Sequence, residues 1–299
     1  MKPIHLVCDS TADLDADYAT AHDVAVVPLR VIFGEDEFLD GVDISTAEFY
    51  RRMETDPHLP RTSQPTPAEF EEVFRRVGGD GAAIVCTTIS AELSGTYGSA
   101  LQARAALPDL DIRVVDSRTV GPTHTAAVEV AVALRDQGRD ADAVVAALAR
   151  LRARQRLVFA LETLEYLHRG GRIGGGRAFV GTVLSIKPIL GMTDGKIEAI
   201  DRVRTYPRAL TRLIEEVAAA TREWGPTKVI CAHAARPEQA RTVAERVAEI
   251  TGELPRVVEI GGCSAATPAP AASGSACTPP PLSRAEPAHP SPVLALLVG

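Results

Sequence analysis

Short apolar runs alternate with amphipathic helical patterns along most of this chain. Residues 4–8, Ala82–Thr87 and Ile112–Asp116 have the length and composition of buried strands. Segments with apolar residues at helical spacing separate these runs. Such alternation is typical of βα units, whose strands pair in a mostly parallel sheet. It therefore predicts an α/β fold.

Cap signals and periodicity place the other elements of the first part. A second strand is predicted over Val24–Phe33. The pairs Ser45/Glu48 and Thr66/Glu69 have capping-box spacing, and predict helices that run to about Glu54 and Val77. Further helices are predicted over Asp13–His22, Thr96–Ala106, Thr123–Gln137 and Asp140–Arg154.

A second α/β domain is predicted to begin near Leu157–Leu161, which gives domains over 1–156 and 157–262. Its predicted strands are Lys228–Ala232 and Arg256–Ile260, and a hairpin is predicted to turn at Asp194-Gly195. Its predicted helices are Ala178–Ser185, Pro207–Arg222 and Pro237–Ile250. A chain of 299 residues is long enough for two such domains, each with its own core.

Charge and cysteine usage narrow the function classes. A net charge of -7 argues against a nucleic-acid partner. The five cysteines are scattered without a CxxC pair, which favours a reducing cytoplasm, and the seven histidines lack metal-ligand spacing. We therefore expect no metal. We expect no signal peptide, because the N-terminus runs straight into a strand-like segment, and no transmembrane segment, because no run of 18 apolar residues occurs.

Hydroxyl-bearing residues follow the predicted strands of the first domain. Asp9-Ser10-Thr11, Thr87-Thr88-Ile89-Ser90 and Asp116-Ser117 each come at a strand end, and Ser94-Gly95-Thr96 opens a helix. Carboxyl ends of parallel strands converge on one crevice, the usual ligand site in open sheets. Hydroxyls and helix N-terminal amides would form there an uncharged surface for a carboxylate or phosphate. The alternative interpretation is that these residues are ordinary helix caps.

Six ordered motifs carry a family resemblance over about residues 4–261. They are Cys8-Asp9-Ser10-Thr11, Thr62-Ser63-Gln64-Pro65, Leu93-Ser94-Gly95-Thr96-Tyr97, Val115-Asp116-Ser117, Leu167-His168-Arg169-Gly170-Gly171-Arg172-Ile173 and Ile186-Lys187-Pro188-Ile189-Leu190. In order and spacing they resemble the DegV family of bacterial fatty-acid-binding proteins. The resemblance implies two α/β domains that enclose a lipid tunnel.

The resemblance also implies how a fatty acid is held. Its carboxylate would bond to the hydroxyls of Thr62 and Ser94, with Ser63, Ser10 and the Gly95 amide nearby. A separate ATP-dependent fatty-acid kinase would phosphorylate the bound acid to an acyl phosphate that feeds phospholipid synthesis. The chain would thus be a carrier without a cofactor of its own, and not the enzyme.

Two arginines are predicted to serve the partner. Arg172 and Arg204 lie in segments that match the family, and a kinase needs positive charge near a transferring phosphoryl group. The glycine-rich stretch 170–177 is not a nucleotide loop, because it lacks GxxxxGK[ST] and a GxGxxG between strand and helix. The apolar stretch Ala178–Leu184 suits either a tunnel wall or an ordinary core helix.

Two other functions stay open from the residues alone. An α/β hydrolase or transferase could use Ser94 or Ser10 as nucleophile, although the sequence offers no obvious general base. A regulator that binds a nucleotide or sugar phosphate could use the same hydroxyl-lined crevice. A narrow apolar cavity would favour the lipid carrier, and a wide polar cleft the regulator.

The resemblance breaks in the last 37 residues. Residues 263–299 hold eight of the 21 prolines and only two formal charges, a composition that predicts disorder. DegV-like chains instead continue into His-Thr-Gly-Pro-Gly, whose His joins the carboxylate network. If the gene is read one base earlier after Gly261, the codons that the protein sequence allows are compatible with that ending. We interpret the tail as a frameshift product of the gene or its sequence; the alternative is a natural proline-rich tail.

Overall fold

The structure is a computed structural model that describes residues 3–161, 186–266 and 290–298. The strands are β1 (Ile4–Asp9), β2 (Val24–Val27), β3 (Arg30–Phe33), β4 (Asp36–Leu39), β5 (Arg61–Ser63), β6 (Ala83–Thr88), β7 (Asp111–Asp116), β8 (Gln155–Ala160), β9 (Lys187–Thr193), β10 (Lys196–Val203), β11 (Lys228–His233), β12 (Arg256–Glu259) and β13 (Val293–Val298). The helices are α1 (Ala16–Ala21), α2 (Thr46–Thr55), α3 (Pro67–Gly78), α4 (Thr96–Ala106), α5 (Pro122–Asp136), α6 (Ala141–Arg152), α7 (Tyr206–Trp224), α8 (Pro237–Thr251) and α9 (Gly262–Ala266). The predicted helix over Ala178–Ser185 lies outside the described residues.

The first sheet is parallel throughout, with strand order β2-β1-β6-β7. All six residues of β6 are buried. A strand covered on both faces needs such a continuous apolar run, which is why its sequence shows no alternation. The predicted α/β fold with a mostly parallel sheet is confirmed.

The second sheet has the order β10-β9-β8-β13-β11-β12. Strands β8, β13, β11 and β12 are parallel, and the antiparallel hairpin of β9 and β10 forms one edge. The hairpin turns at Asp194-Gly195, as predicted. Both residues have positive φ, 48° and 80°, which the tight turns of two-residue hairpins require.

A small antiparallel sheet, β4-β3-β5, corrects the predicted strand over Val24–Phe33. The segment forms two strands: β2 joins the first sheet, and β3 leaves it for the small one. Pro28 stands between them, and its missing N–H removes a donor that a continuous strand would need. The small sheet also carries Thr62, which is opposite Val31 in the register of β5 and β3.

Helix α5 lies between the first and second sheets, and α6 packs beside it on the first sheet. Helix α5 packs on β1 as well as on β8 and β13, and α6 packs on β6 and β7. One cluster of buried side chains therefore includes Leu6 of the first sheet, Val128 and Leu148 of these helices, and Leu297 of the second sheet. The apolar core is continuous across the predicted boundary at residue 156.

The predicted disorder of 263–299 is wrong for two parts of that segment. Residues up to Ala266 form α9, and Val293–Val298 form β13 in the middle of the second sheet. All six residues of β13 are buried, and an unbroken run of aliphatic residues is typical of a strand covered on both faces. The proline-rich composition of the whole tail concealed this short run. Residues 267–289 lie outside the described residues.

Candidate functional site

The loops that follow β1, β6 and β7 converge, as the sequence predicted. The carboxylate of Asp9 accepts from the Thr11 amide (3.0 Å) in its own loop and from the Ile89 amide (2.6 Å) after β6. The amide of Ser117, after β7, donates to the Thr88 carbonyl (3.0 Å). These bonds join the three strand ends into one polar cluster at the carboxyl edge of the first sheet.

Ser94 and Gly95 lie at the start of α4. The buried Ser94 hydroxyl is 2.8 Å from the Thr96 hydroxyl, and it accepts from the Thr96 amide (3.3 Å). When Thr96 donates, the Ser94 proton remains available to a ligand. The Gly95 amide donates to no residue that the structure describes, and it stands at the positive end of an 11-residue helix.

Gln64 brings the Thr62 strand to this helix start. A Cβ on Gly95 would lie 2.7 Å from Gln64 Cδ, so any larger residue at position 95 would displace the Gln64 side chain. Gln64 Nε2 also donates to Ser99 Oγ (3.2 Å) in the first turns of α4. The predicted residues Thr62 and Ser63 directly precede this contact. Thr62 is partly exposed and its hydroxyl has no partner among the described residues, whereas Ser63 is exposed.

Ser10 is already engaged on both sides of its hydroxyl. It donates to the Asp40 carboxylate (2.9 Å) and accepts from the Leu29 amide (3.1 Å), which holds the start of β3 against the first sheet. Ser10 could donate to a ligand only by releasing Asp40. The structure thus places Ser10 in support of the small sheet, and gives Thr62 the freer hydroxyl.

Two acids that the sequence did not predict lie beside Ser10, the buried Asp40 and the partly buried Asp13. Burial raises the pKa of Asp40, and it raises the pKa of Asp13 well above its usual value, with the nearby Asp40 charge as a second cause. Ser264 of α9 donates to Asp13 Oδ1 (2.9 Å). The sequence signal for these acids was weak, because isolated aspartates after short apolar runs are common caps.

His124 is fully buried between two hydroxyls. Its Nδ1 is 3.4 Å from Thr11 Oγ1 and its Nε2 is 3.1 Å from Thr87 Oγ1. Burial lowers the pKa of His124, which favours the neutral ring. Among the described residues neither Ser94 nor Ser10 bonds to a histidine, so the geometry gives no support to a nucleophilic serine. No group of acids, histidines and cysteines in the described ranges has the arrangement of a metal site.

Of the two predicted arginines the structure describes only Arg204, which does not reach the polar loops of the first sheet. Arg204 is exposed in the turn between β10 and α7, and no hydrogen bond or ion pair within the described ranges joins it to the polar loops. Arg172, with the motif Leu167–Ile173 and the stretch Ala178–Leu184, lies outside the described residues. None of the helices the structure describes is long and apolar enough to cross a bilayer.

Comparison with known proteins gives one consistent family. A family model described as "Uncharacterised protein, DegV family" matches residues 3–270. A DegV domain-containing protein of Halalkalibacterium halodurans is 34% identical over 248 residues, which cover 83% of this chain and 88% of the relative. One of Streptomyces coelicolor is 35% identical over 247 residues, with 82% and 87% coverage.

The chain is also similar to proteins of known structure. The chain is similar to a fatty-acid-binding DegV family protein of Thermus thermophilus, with a TM-score of 0.77 and 32% identity over 90% of this chain and 96% of the other. It is also similar to a stearic acid-binding protein of Eubacterium ventriosum, with a TM-score of 0.81 and 30% identity over 89% and 94%.

Proposed function

The chain belongs to the DegV family, and we propose that it binds a long-chain fatty acid whose carboxylate lies between Thr62 and Ser94. The observation that carries this proposal is the Gln64–Gly95 contact, which holds β5 against the start of α4. Relatives of the same fold bind fatty acids, stearic acid among them. Fatty acid is therefore the ligand class that we assign to this site.

The proposed site suits a carboxylate for a physical reason. Hydroxyls and the amides of a helix start can stabilise a negative charge without a buried Lys or Arg. Thr62 and Ser94 each offer a hydroxyl, and Gly95 offers an amide. The acids Asp13 and Asp40 have raised pKa values, which reduces the negative charge that a carboxylate would meet nearby.

We expect Thr62→Val and Ser94→Ala each to weaken fatty-acid binding about 10–100-fold. A hydrogen bond to a charged group contributes about 1.5–3 kcal/mol, and 1.4 kcal/mol is about tenfold in affinity. Titration with oleate would measure the change. Thr242→Val is the matched control, because the Thr242 hydroxyl bonds only within α8. Wild-type affinity in both site variants, with the fold intact, would reject the assignment.

Extraction of the purified protein with organic solvent tests the ligand class itself. Mass spectrometry should find a fatty acid in near-stoichiometric amount. A polar phosphate in its place would favour the regulator that the same hydroxyls could serve. This measurement does not depend on which residue contacts the head group.

We propose further that a separate fatty-acid kinase phosphorylates the bound acid, and that the acyl phosphate feeds phospholipid synthesis. The chain would present the substrate and need no cofactor of its own. Such a carrier would work in the cytoplasm, where reduced cysteines persist. The four described cysteines are buried thiols outside any disulfide: Cys8, Cys86, Cys231 and Cys263.

In this proposal Arg204 and Arg172 face the kinase. We expect Arg204→Ala and Arg172→Ala to spare oleate binding and to lower acyl-phosphate formation about tenfold or more, since positive charge stabilises a transferring phosphoryl group. Arg241→Ala is a matched control, because Arg241 is exposed and pairs with Glu238 on α8. Loss of oleate binding in either variant would instead place that arginine in the lipid pocket.

A further inference from the structure

We infer that Ser90 is a positioning residue, through which the β9–β10 hairpin holds the Ser94 loop in its binding position. The inference rests on the proposed head-group role of Ser94. It adds that the affinity for a fatty acid depends on a contact between the second sheet and the loop after β6. Ser90 itself would touch no ligand.

Every polar group of Ser90 is used to fix this loop. Its hydroxyl donates to the Gly195 carbonyl (2.7 Å) and accepts from the Glu92 amide (3.3 Å). Its amide donates to the Thr119 carbonyl (2.9 Å), and its carbonyl accepts from the amides of Leu93 (3.0 Å) and Ser94 (3.1 Å). Ser90 is fully buried, so water cannot replace these bonds. The bond to the Ser94 amide connects Ser90 directly to the head-group residue.

The hairpin tip fits Ser90 closely. Gly195 has φ +80°, and a Cβ there would lie 2.5 Å from Ser90 Oγ, so both backbone conformation and space require glycine. The Arg118 guanidinium donates to the Asp194 carbonyl, and Lys196 Nζ is 3.5 Å from the Glu92 carboxylate. The tip is thus held by residues from the loops after both β6 and β7.

These contacts connect two parts of the fold. Strand β9 pairs with β8, so the tip moves with the edge of the second sheet. Two side chains of the Ser94 loop contact the hairpin, Ser90 and Glu92. Glu92 is exposed, whereas Ser90 is buried and its carbonyl also accepts from the Ser94 amide. A shift of the hairpin would therefore change the position of Ser94 through Ser90.

A double-mutant cycle on oleate binding tests the inference. Ser90→Ala should weaken binding about three- to tenfold, as expected for one lost hydrogen bond. If Ser90 acts through Ser94, the same change made in a Ser94→Ala background should alter affinity less than about twofold. A purely structural role would weaken binding equally in both backgrounds, and that result would overturn the inference.

Two further variants keep the test decisive. Gly195→Ala disturbs the same contact from the hairpin side, and should weaken binding at least as much as Ser90→Ala, again only when Ser94 is present. Asp140→Ala removes the cap of α6, whose bond to the Ala143 amide stays within that helix. It should lower stability and leave the affinity for oleate unchanged.

The outcomes separate this inference from the proposed function. If Ser94→Ala binds oleate like the wild type, the head-group assignment fails and the inference fails with it. If Ser94→Ala weakens binding while Ser90→Ala and Gly195→Ala do not, the inference alone is overturned. If all three variants weaken oleate binding, and Ser90→Ala and Gly195→Ala have little effect in the Ser94→Ala background, the results support both the inference and the proposed function.

Discussion

Asp13 combines three unfavourable features for an ionised carboxylate. Its Oδ2 atom is shielded from solvent and has no hydrogen-bond partner among the described residues, and Asp40 is close enough to raise its pKa. A Cβ on Gly261 would lie 2.6 Å from Asp13 Oδ1, so the chain after β12 passes directly over the carboxyl group. Ser264 donates to the same oxygen, and this bond stabilises the ionised form and opposes the rise in pKa. Burial is the larger effect, so folding favours the protonated form of Asp13.

We expect Asp13→Asn to flatten the pH dependence of stability. A folded-state pKa above the unfolded value, about 3.9, means that the folded protein binds the proton more tightly. The free energy of unfolding then falls as pH rises from about 4 through the raised pKa, by about 1.4 kcal/mol for every tenfold difference in proton affinity. Asparagine stays neutral at every pH, so the free energy of unfolding of Asp13→Asn should not show this fall.

Urea unfolding at several pH values between 4 and 8 would measure the difference between Asp13→Asn and the wild type. Asp109→Asn, at an exposed aspartate before β7, is the matched control and should follow the wild-type curve. A constant difference between Asp13→Asn and the wild type at every pH would show that Asp13 is ionised in the folded protein.

Helix α3 shows how local signals can determine an element. Thr66 accepts from the Glu69 amide (3.3 Å), and the Glu69 carboxylate accepts from the Thr66 amide (2.7 Å). Hydrogen bonds from the Arg30 guanidinium, with the Thr66 bonds as a smaller cause, lower the pKa of Glu69 to about 2. The cap of α3 thus also fixes the Glu69 carboxylate, which pairs with Arg30 of β3.

We expect Thr66→Ala to lower the free energy of unfolding by about 1 kcal/mol, the usual effect of losing an N-cap. Thr66→Ser keeps the hydroxyl, and should lose only a few tenths of a kcal/mol. Denaturant unfolding of the two variants, compared with the wild type, measures both effects. Equal losses would mean that the Thr66 methyl group, and not its cap, stabilises this turn.

Elements with local signals could be predicted, and elements without them could not. Helix α4 has the predicted bounds, Thr96–Ala106, and α3 begins at Pro67 as its cap requires. Strand β5 has only three residues, of polar character, and it forms because β3 offers backbone partners. Pairing between distant segments determines such a strand, so no periodicity in its own sequence reveals it.

The same distinction holds for the candidate site. Hydroxyls after strands could be read from the sequence, because parallel strands bring their carboxyl ends together. The contact of Gln64 with Gly95 joins residues 31 positions apart, and only the folded chain shows that the two are neighbours. Likewise, nothing in the sequence near Asp13 predicts that Ser264, 251 positions later, will be its partner.

At the scale of the whole molecule, the second sheet depends on the end of the chain. Strand β13 lies between β8 and β11, and pairs with both along all six residues. Its side chains enter two core clusters: Leu297 joins the one that extends to the first sheet, and Leu296 the one beneath α7 and α8. Without β13, two central strands would have unpaired edges.

We expect Leu296→Ala to lower the free energy of unfolding by about 2–5 kcal/mol, the usual cost of truncating a fully buried leucine. Leu296 is opposite Cys231 and Val158 in the strand register, and is 1% exposed. Leu254→Ala is the matched control, since Leu254 is 64% exposed and the substitution should change stability by less than about 0.5 kcal/mol.

The intact mass of the purified protein must first show that the expressed chain contains β13, because a frameshift near codon 261 would replace Leu296. Given that mass, equal and small effects of the two substitutions would contradict a central β13, and the second sheet would then have to close by pairing β8 with β11.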